Sequence, residues 1–256
     1  MGKRKSVKTL DDGRVMLNIA CGTKTNWGWN NLDFSTYALL AHHRTLASFL
    51  KRIGLLSSTR YKRLLGVDPG IIRHDLRKGI PFGNNTFDVV YHSHFLEHLD
   101  RRAALSILRE CYRVLKPGGI LRVVVPDLRI LIQNYNASFS ALENNGDVTL
   151  DRHLDSVGAI FDQMVRESPR GTTQQPPLVR MIERLLRGDA AKTGEVHRWM
   201  YDEYSLKALL SEIGFKDVRV QDARTSGIRG WDRFHLDINQ DGSVYKPESL
   251  YVEGTK

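Results

Sequence analysis

Val15 to Ala20 is a continuous apolar run interrupted only by Asn18, the pattern of a strand buried on both faces of a parallel sheet. Asn30 to Phe34 predicts a short second strand, Ile71 to His74 a third and Phe87 to His92 (FDVVYH) a fourth. Between the second and third the period changes. Leu46, Phe49, Leu50 and Ile53 recur at helical spacing, and Leu64-Leu65 resume it after Ser57-Ser58, so residues 37–65 are expected to be helical. Asp100 caps a further helix whose apolar face is Ala104, Leu105, Leu108, Cys111, Tyr112 and Leu115, ended by Lys116-Pro117-Gly118-Gly119. Ile120 to Val125 is the fifth strand. Residues 127–195 read as mostly helical, interrupted by the loop GTTQQPP at 171–177. Asp202 caps a last helix with Leu206, Leu209, Leu210 and Ile213 inward and Gly214 at its end; strands follow at Val218 to Gln221 and Ser249 to Glu253.

Strands alternating with helices predict a mostly parallel sheet covered on both faces. Ligands of such sheets sit outside the carboxyl ends of the strands. That rule selects Ala20-Cys21-Gly22, Asp33, Asp75, Ser93-His94 and Pro126-Asp127. Gly22, without a Cβ, lets the backbone approach a ligand, or simply makes a tight turn. Asp33 can accept from a ribose diol, or cap the helix that follows. Asp75 can accept from an adenine amino group, or serve as a turn residue. A dinucleotide loop reads G-x-G-x-x-G with its carboxylate about 20 residues on. Here Gly22 stands alone and Asp33 follows after only eleven residues.

Composition narrows the class. The 256 residues, 41% hydrophobic, suit a soluble globular chain that can hold one large α/β domain with insertions or two small domains. No run approaches a membrane span, and MGKRKSVKTLDDG lacks the apolar stretch of a secretory signal, which makes the cytoplasm the expected location. The two cysteines form no disulfide framework or metal pattern. The net charge of +9 is localised. Residues 1–10 carry Lys3, Arg4, Lys5 and Lys8, and residues 34–67 carry Arg44, Lys51, Arg52, Arg60, Lys62 and Arg63, with no acidic residue in either stretch. That distribution is a tail plus one segment, not the footprint of a nucleic-acid-binding domain.

The order strand-Gly, strand-Asp, strand-Asp, strand-Ser/His, LKPGG and strand resembles that of class I S-adenosylmethionine-dependent methyltransferases. LNIACG resembles their first motif, HDLRKGIPFGNNTFDVVYHSHFLEHL the D-L-x-x-P-F…F-D-V-V stretch of the type 11 group, and LRECYRVLKPGGILRVVVPDL the segment after it. GWNNLD, EHL and HRWMYD resemble a subgroup of predicted methyltransferases associated with bacterial surface-polysaccharide biosynthesis. The resemblance implies a Rossmann-like seven-stranded sheet, mostly parallel with an antiparallel last strand and helices on both faces. The expected organisation is a single domain over 1–256 with a basic tail at 1–12, a basic helical segment at 35–68 and a helical cap at 135–195.

It also implies S-adenosyl-L-methionine as cofactor and S-adenosyl-L-homocysteine as product. Asn18, Ala20, Cys21 and Gly22 would hold the methionine part, Asp33 the ribose, His74, Asp75 and Leu76 the adenine, and Ser93 and His94 would border the sulfonium. HSHFLEH supplies His92, His94, Glu97 and His98; His94 is the first candidate base for a hydroxyl acceptor, with His98 and His197 the other catalytic candidates. His94 and His98 also have zinc-like spacing, but with no third ligand visible in the sequence no metal is expected. The expected reaction is O-methylation of a small molecule or a glycan or lipid-linked sugar. RNA methylation and a non-catalytic cofactor-binding partner subunit are the alternatives, although nucleic acid is not the expected partner. The basic segment around 42–63 could touch an anionic membrane or phosphate groups, or pack on the sheet with its Lys and Arg solvated.

Overall fold

The computed structural model describes residues 7–144, 149–163 and 197–256. Seven strands form one sheet: β1 Met16–Ile19, β2 Asn30–Asp33, β3 Ile72–Arg73, β4 Phe87–Ser93, β5 Leu115–Pro126, β6 Lys216–Gln221 and β7 Ser249–Thr255. Their order is β3-β2-β1-β4-β5-β7-β6. β1 to β5 run parallel, and β7 inserts antiparallel between β5 and β6. This is the Rossmann-like methyltransferase sheet that the motif order implies. Helices α1 Thr36–His42, α2 Arg44–Arg52 and α3 Ser58–Leu65 link β2 to β3; α4 is Arg101–Val114, α5 Leu128–Glu143, α6 Leu150–Gln163 and α7 Glu203–Ile213.

Alternation along the strands separates two cores. Leu17 and Ile19 of β1, Leu121, Val123 and Val125 of β5, and Leu250 and Val252 of β7 pack with Leu108 and Cys111 of α4 and Leu206 and Leu210 of α7. The other faces of the same strands carry Met16, Val124 and Tyr251. Both caps predicted for the helices on the first face form. Asp100 accepts from the Ala103 N–H at 2.8 Å, and Asp202 makes a capping box with Ser205, while Gly214 closes α7 at φ +114°. Each such cap is worth about 1 kcal/mol. One boundary differs from expectation. Lys116 to Gly119 opens β5 instead of trailing α4, because Leu115 already pairs with Phe87 across a bulge before Val89 meets Ile120. The buried positions of α4 accordingly include Ile107 and Val114 in addition to Ala104, Leu108 and Cys111.

The connection from β1 to β2 is only residues 20–29 and contains no helix. Parallel strands are ordinarily joined by a dozen or more residues, usually through a helix that covers the sheet. Over the second face that cover comes from far along the chain. Ala223, Ile228, Trp231, Phe234, Leu236 and Ile238, in the irregular segment between β6 and β7, pack on Met16, Trp29, Val89, Tyr91 and Val124. Beneath it Arg122 is fully buried, 2.7 Å from both Asp237 and Glu253, with its guanidinium 4.6 Å from the Trp231 ring centroid.

Between β2 and β3, α2 departs from a simple inward stripe. Ala47 is buried and Leu50 packs on a small core with Ala38, Leu64 and Val67, yet Leu46, Phe49 and Ile53 face solvent. The helical cap expected over 135–195 is described as α5 and α6 up to residue 163; the loop at 171–177 lies outside the described residues.

Candidate active site

The strand order reverses between β1 and β4, so their carboxyl ends diverge and open the crevice in which ligands of such sheets bind. Three residues at this point have left-handed backbone: Ala20 (φ +50°), Gly22 (φ +52°) and His94 (φ +48°). For a residue with a Cβ that conformation costs on the order of 1–3 kcal/mol and is concentrated at ligand clamps. Gly22 is required by its φ rather than by crowding, since a Cβ there would meet nothing within 4 Å. Its N–H donates to Asp33 Oδ2 at 2.8 Å, and the Ser35 N–H donates to Asp33 Oδ1 at 2.6 Å. The buried carboxylate is thus aimed by two backbone donors, and each oxygen retains a lone-pair site for another hydroxyl.

The remaining sequence-predicted cofactor residues occupy this neighbourhood with different tasks. Asn18 is buried, and its amide donates to the Lys24 carbonyl at 3.0 Å and to Asn31 Oδ1 at 3.2 Å, tying down the loop after β1. Burial pushes the Cys21 thiol well above its ordinary range, so it stays protonated and inert. The His74 ring donates through Nε2 to the Gly79 carbonyl at 2.9 Å. Asp75 caps the short turn Leu76–Lys78 and is gripped by the Arg77 guanidinium at 2.7–3.1 Å, which holds its carboxyl below the usual range. Its turn role is therefore visible, and any purine contact shares the carboxylate with Arg77. Ser93 ends β4 beside His94. Asp127, at the end of β5, caps α5 by accepting from Arg129 N–H at 2.9 Å.

The histidines gather on the same side. His94 Nε2 lies 2.8 Å from Ser249 Oγ, and its Nδ1 is 3.3 Å from Glu97 Oε1. Burial, and next the charge of Lys246, depress His94 to about 3, leaving the ring neutral. Burial also raises Glu97, to about 8. His98 and His197 meet ring to ring, centroids 4.7 Å apart at 74°. The contact arises because the N–H groups of Arg198 and Trp199 donate to the Glu97 carbonyl at 2.7 and 3.1 Å, laying HRWMYD across EHL. His92 instead points into the core, fully buried and held neutral by that burial at about 3. All three catalytic candidates of the sequence, His94, His98 and His197, are thus neighbours around Glu97.

Residues 17–123 match a family profile described as "Methyltransferase domain". The match covers less than half of the chain, and over those residues the chain is similar to a methyltransferase domain. Among solved structures, it is similar to a SAM-dependent methyltransferase from Archaeoglobus fulgidus (13% identity, 95% of this chain, 86% of that chain, TM-score 0.37). It is also similar to the 1,6-didemethyltoxoflavin-N1-methyltransferase of Burkholderia thailandensis (12% identity, 95% of this chain, 71% of that chain, TM-score 0.41). A third, the S-adenosylmethionine-dependent methyltransferase SibL, is about twice as long, the alignment covering 50% of it at 12% identity and TM-score 0.45. No curated protein matches the chain.

The motif resemblance implies S-adenosylmethionine as the cofactor, and the crevice between β1 and β4 fits it. The cofactor carries no pyrophosphate, so a single glycine with open space beside it suffices where a dinucleotide loop needs three. An acceptor-only carboxylate, Asp33, suits a ribose diol. A separate open groove beside the loop, lined by Lys24, Asn26, Trp27, Phe234 and Asp241, contains none of these residues. Two neighbours were not picked out as site residues from sequence. Glu97 stands in HSHFLEH beside the candidate histidines but carried no role of its own, and Ser249 has no local signal: β7 brings it to His94 from 155 positions away.

Proposed function

We propose that the chain is an S-adenosylmethionine-dependent methyltransferase that O-methylates a small molecule or a glycan or lipid-linked sugar. The observation that carries the hydroxyl acceptor is His94: a neutral ring at the end of β4, oriented by Ser249 and Glu97. Bound S-adenosylmethionine supplies a methyl already activated on a positive sulfur. The protein's share is then to hold the nucleoside through Gly22 and Asp33, align the acceptor and receive its proton. His94, unprotonated near neutrality, can receive it on a ring nitrogen while the Ser249 hydroxyl, hydrogen-bonded to Nε2, fixes the tautomer.

The test is transfer of radiolabelled methyl from the cofactor to a panel of nucleotide sugars, polyprenyl-phosphate-linked sugars and RNA. Label on a sugar hydroxyl is expected; label on RNA alone would overturn the acceptor class. With the acceptor in hand, His94→Ala is expected to lower kcat by about 10²–10⁴-fold while cofactor Kd measured by calorimetry stays nearly unchanged. Unchanged turnover rejects His94 as the base.

A lipid-linked acceptor also gives a use to α2. Leu46, Phe49 and Ile53 stand exposed beside Lys51 and Arg52, in a stretch with six basic residues and no acidic one. An amphipathic, basic surface of this kind suits an anionic bilayer, with the enzyme peripheral to the inner face of the membrane. No described helix is long and apolar enough to cross one. Flotation with phosphatidylglycerol vesicles is expected to carry the protein upward, and Phe49→Ser with Ile53→Ser to release it. Absence of flotation with or without anionic lipid removes this contact.

A further inference from the structure

We infer that Glu97, His98 and His197 form a binding site for one divalent transition-metal ion of the zinc type. One ligand atom from each lies within 4.8 Å of the others, from two chain segments about 100 residues apart. Two imidazoles and one carboxylate are the donor set of an open, catalytic-type zinc site, in which a fourth position is left for water or substrate. The spacing from His94 to His98 suggested zinc but lacked a third ligand in sequence; the fold supplies it by bringing in His197 and by making Glu97, not His94, the first partner.

The arrangement is built from several sides. The strap 197–199 is pinned to the Glu97 carbonyl by two backbone hydrogen bonds, which fixes His197 over His98. The Glu97 side chain is 1% exposed, and neither of its carboxylate oxygens has a hydrogen-bond partner. Buried carboxylates are otherwise hydrogen-bonded, ion-paired or bound to metal. Glu97 Oε1 is 4.0 Å from His98 Nε2. Ligand bonds of about 2.0–2.1 Å at tetrahedral angles place neighbouring donors roughly 3.3 Å apart, so closure asks for side-chain adjustments of less than an ångström on this pair. His94, 3.3 Å from the same carboxylate oxygen and hydrogen-bonded onward to Ser249, stands where an outer partner would orient the ligating carboxylate. Cysteine is not involved, since Cys21 and Cys111 are both buried elsewhere in the core.

The inference concerns binding and is independent of methyl transfer. The untagged full chain, stripped with chelator, is titrated with Zn²⁺ by calorimetry and with Co²⁺ by visible absorption. One ion per chain is expected, with the intense d–d bands of a low-coordinate cobalt site. His98→Ala, His197→Ala and Glu97→Gln should each weaken Zn²⁺ binding by about a hundredfold or more, while Asp241→Asn, at an exposed and remote position, leaves it unchanged. Circular dichroism melts confirm that the variants fold. His197→Ala is the decisive variant because its side chain lies on a partly exposed strap. Failure of the wild-type chain to bind Zn²⁺ or Co²⁺ overturns the site, as does binding that survives all three substitutions.

Discussion

Asp33→Ala is expected to lower the affinity for S-adenosylmethionine by about a hundredfold or more. A hydrogen bond to a charged group contributes about 1.5–3 kcal/mol, and two to a ribose diol bring the loss to roughly 3 kcal/mol or above. The Gly22 and Ser35 N–H groups that now point at the carboxylate would also lose their acceptor, so the loop itself loosens. Asp33→Asn separates the two effects. It keeps the shape and one acceptor oxygen, yet places an N–H₂ group where either a backbone N–H or a ribose hydroxyl must donate. Calorimetry with S-adenosylhomocysteine measures both variants, and circular dichroism melts report loop damage. A change of less than threefold in Kd for a folded Asp33→Ala protein would falsify the ribose assignment.

Arg122→Met is expected to be among the most destabilising single changes in the chain. The guanidinium is fully buried, and its removal leaves Asp237 and Glu253 facing each other without a cation. It also strips donors from the Asp222 and Thr225 carbonyls, 2.6 and 3.0 Å away, and the ring contacts with Trp231 and Tyr251. Removing one partner of a buried pair costs about 3–5 kcal/mol. At roughly 2–4 °C per kcal/mol for a chain of this size, Tm should fall by about 6–20 °C. The triple change Arg122→Met, Asp237→Asn, Glu253→Gln should recover part of the loss, because no unpaired charge remains, although the Tyr91 hydroxyl keeps only a neutral partner at position 237. Thermal and urea melts decide the matter. A loss below about 1 kcal/mol for the single variant would show the network to be dispensable.

Much of this architecture was legible because it rests on local rules. Strand runs such as Val15 to Ala20 and ILRVVV are apolar on both faces, and Asp100, Asp202 and Gly214 announce helix ends through caps that act over three or four residues. Gly22 and Asp33 could be paired on paper because they are close in sequence and lie at successive strand ends. What escaped depends on contacts across the chain. Nothing local in WDRFHLD says that Trp231 and Phe234 cover the sheet in place of a helix. Arg122 reads as one polar residue in a strand until Asp237 and Glu253 arrive from 115 and 131 positions away. The stripe Leu46, Phe49, Ile53 has the period of a core helix, and periodicity cannot say which side of an amphipathic helix finds a partner. HRWMYD and EHL were recognisable separately, but their contact is made by backbone donors that carry no sequence signature.

The short link between β1 and β2 imposes an order on assembly. The face of the sheet that holds Met16, Trp29 and Tyr91 stays open until Trp231 to Ile238 have been made, more than 130 residues after Tyr91 leaves the ribosome. At about 5–20 residues per second that is roughly 7–30 s during which those aromatic side chains have no cover. The parallel half of the sheet, which contains Gly22 and Asp33, lacks cover on this face until then, and β7 inserts between β5 and β6 and delivers Ser249 to His94. A nascent chain of this protein therefore gains the cover of this second face and the contact of Ser249 with His94 only after β6 has been made.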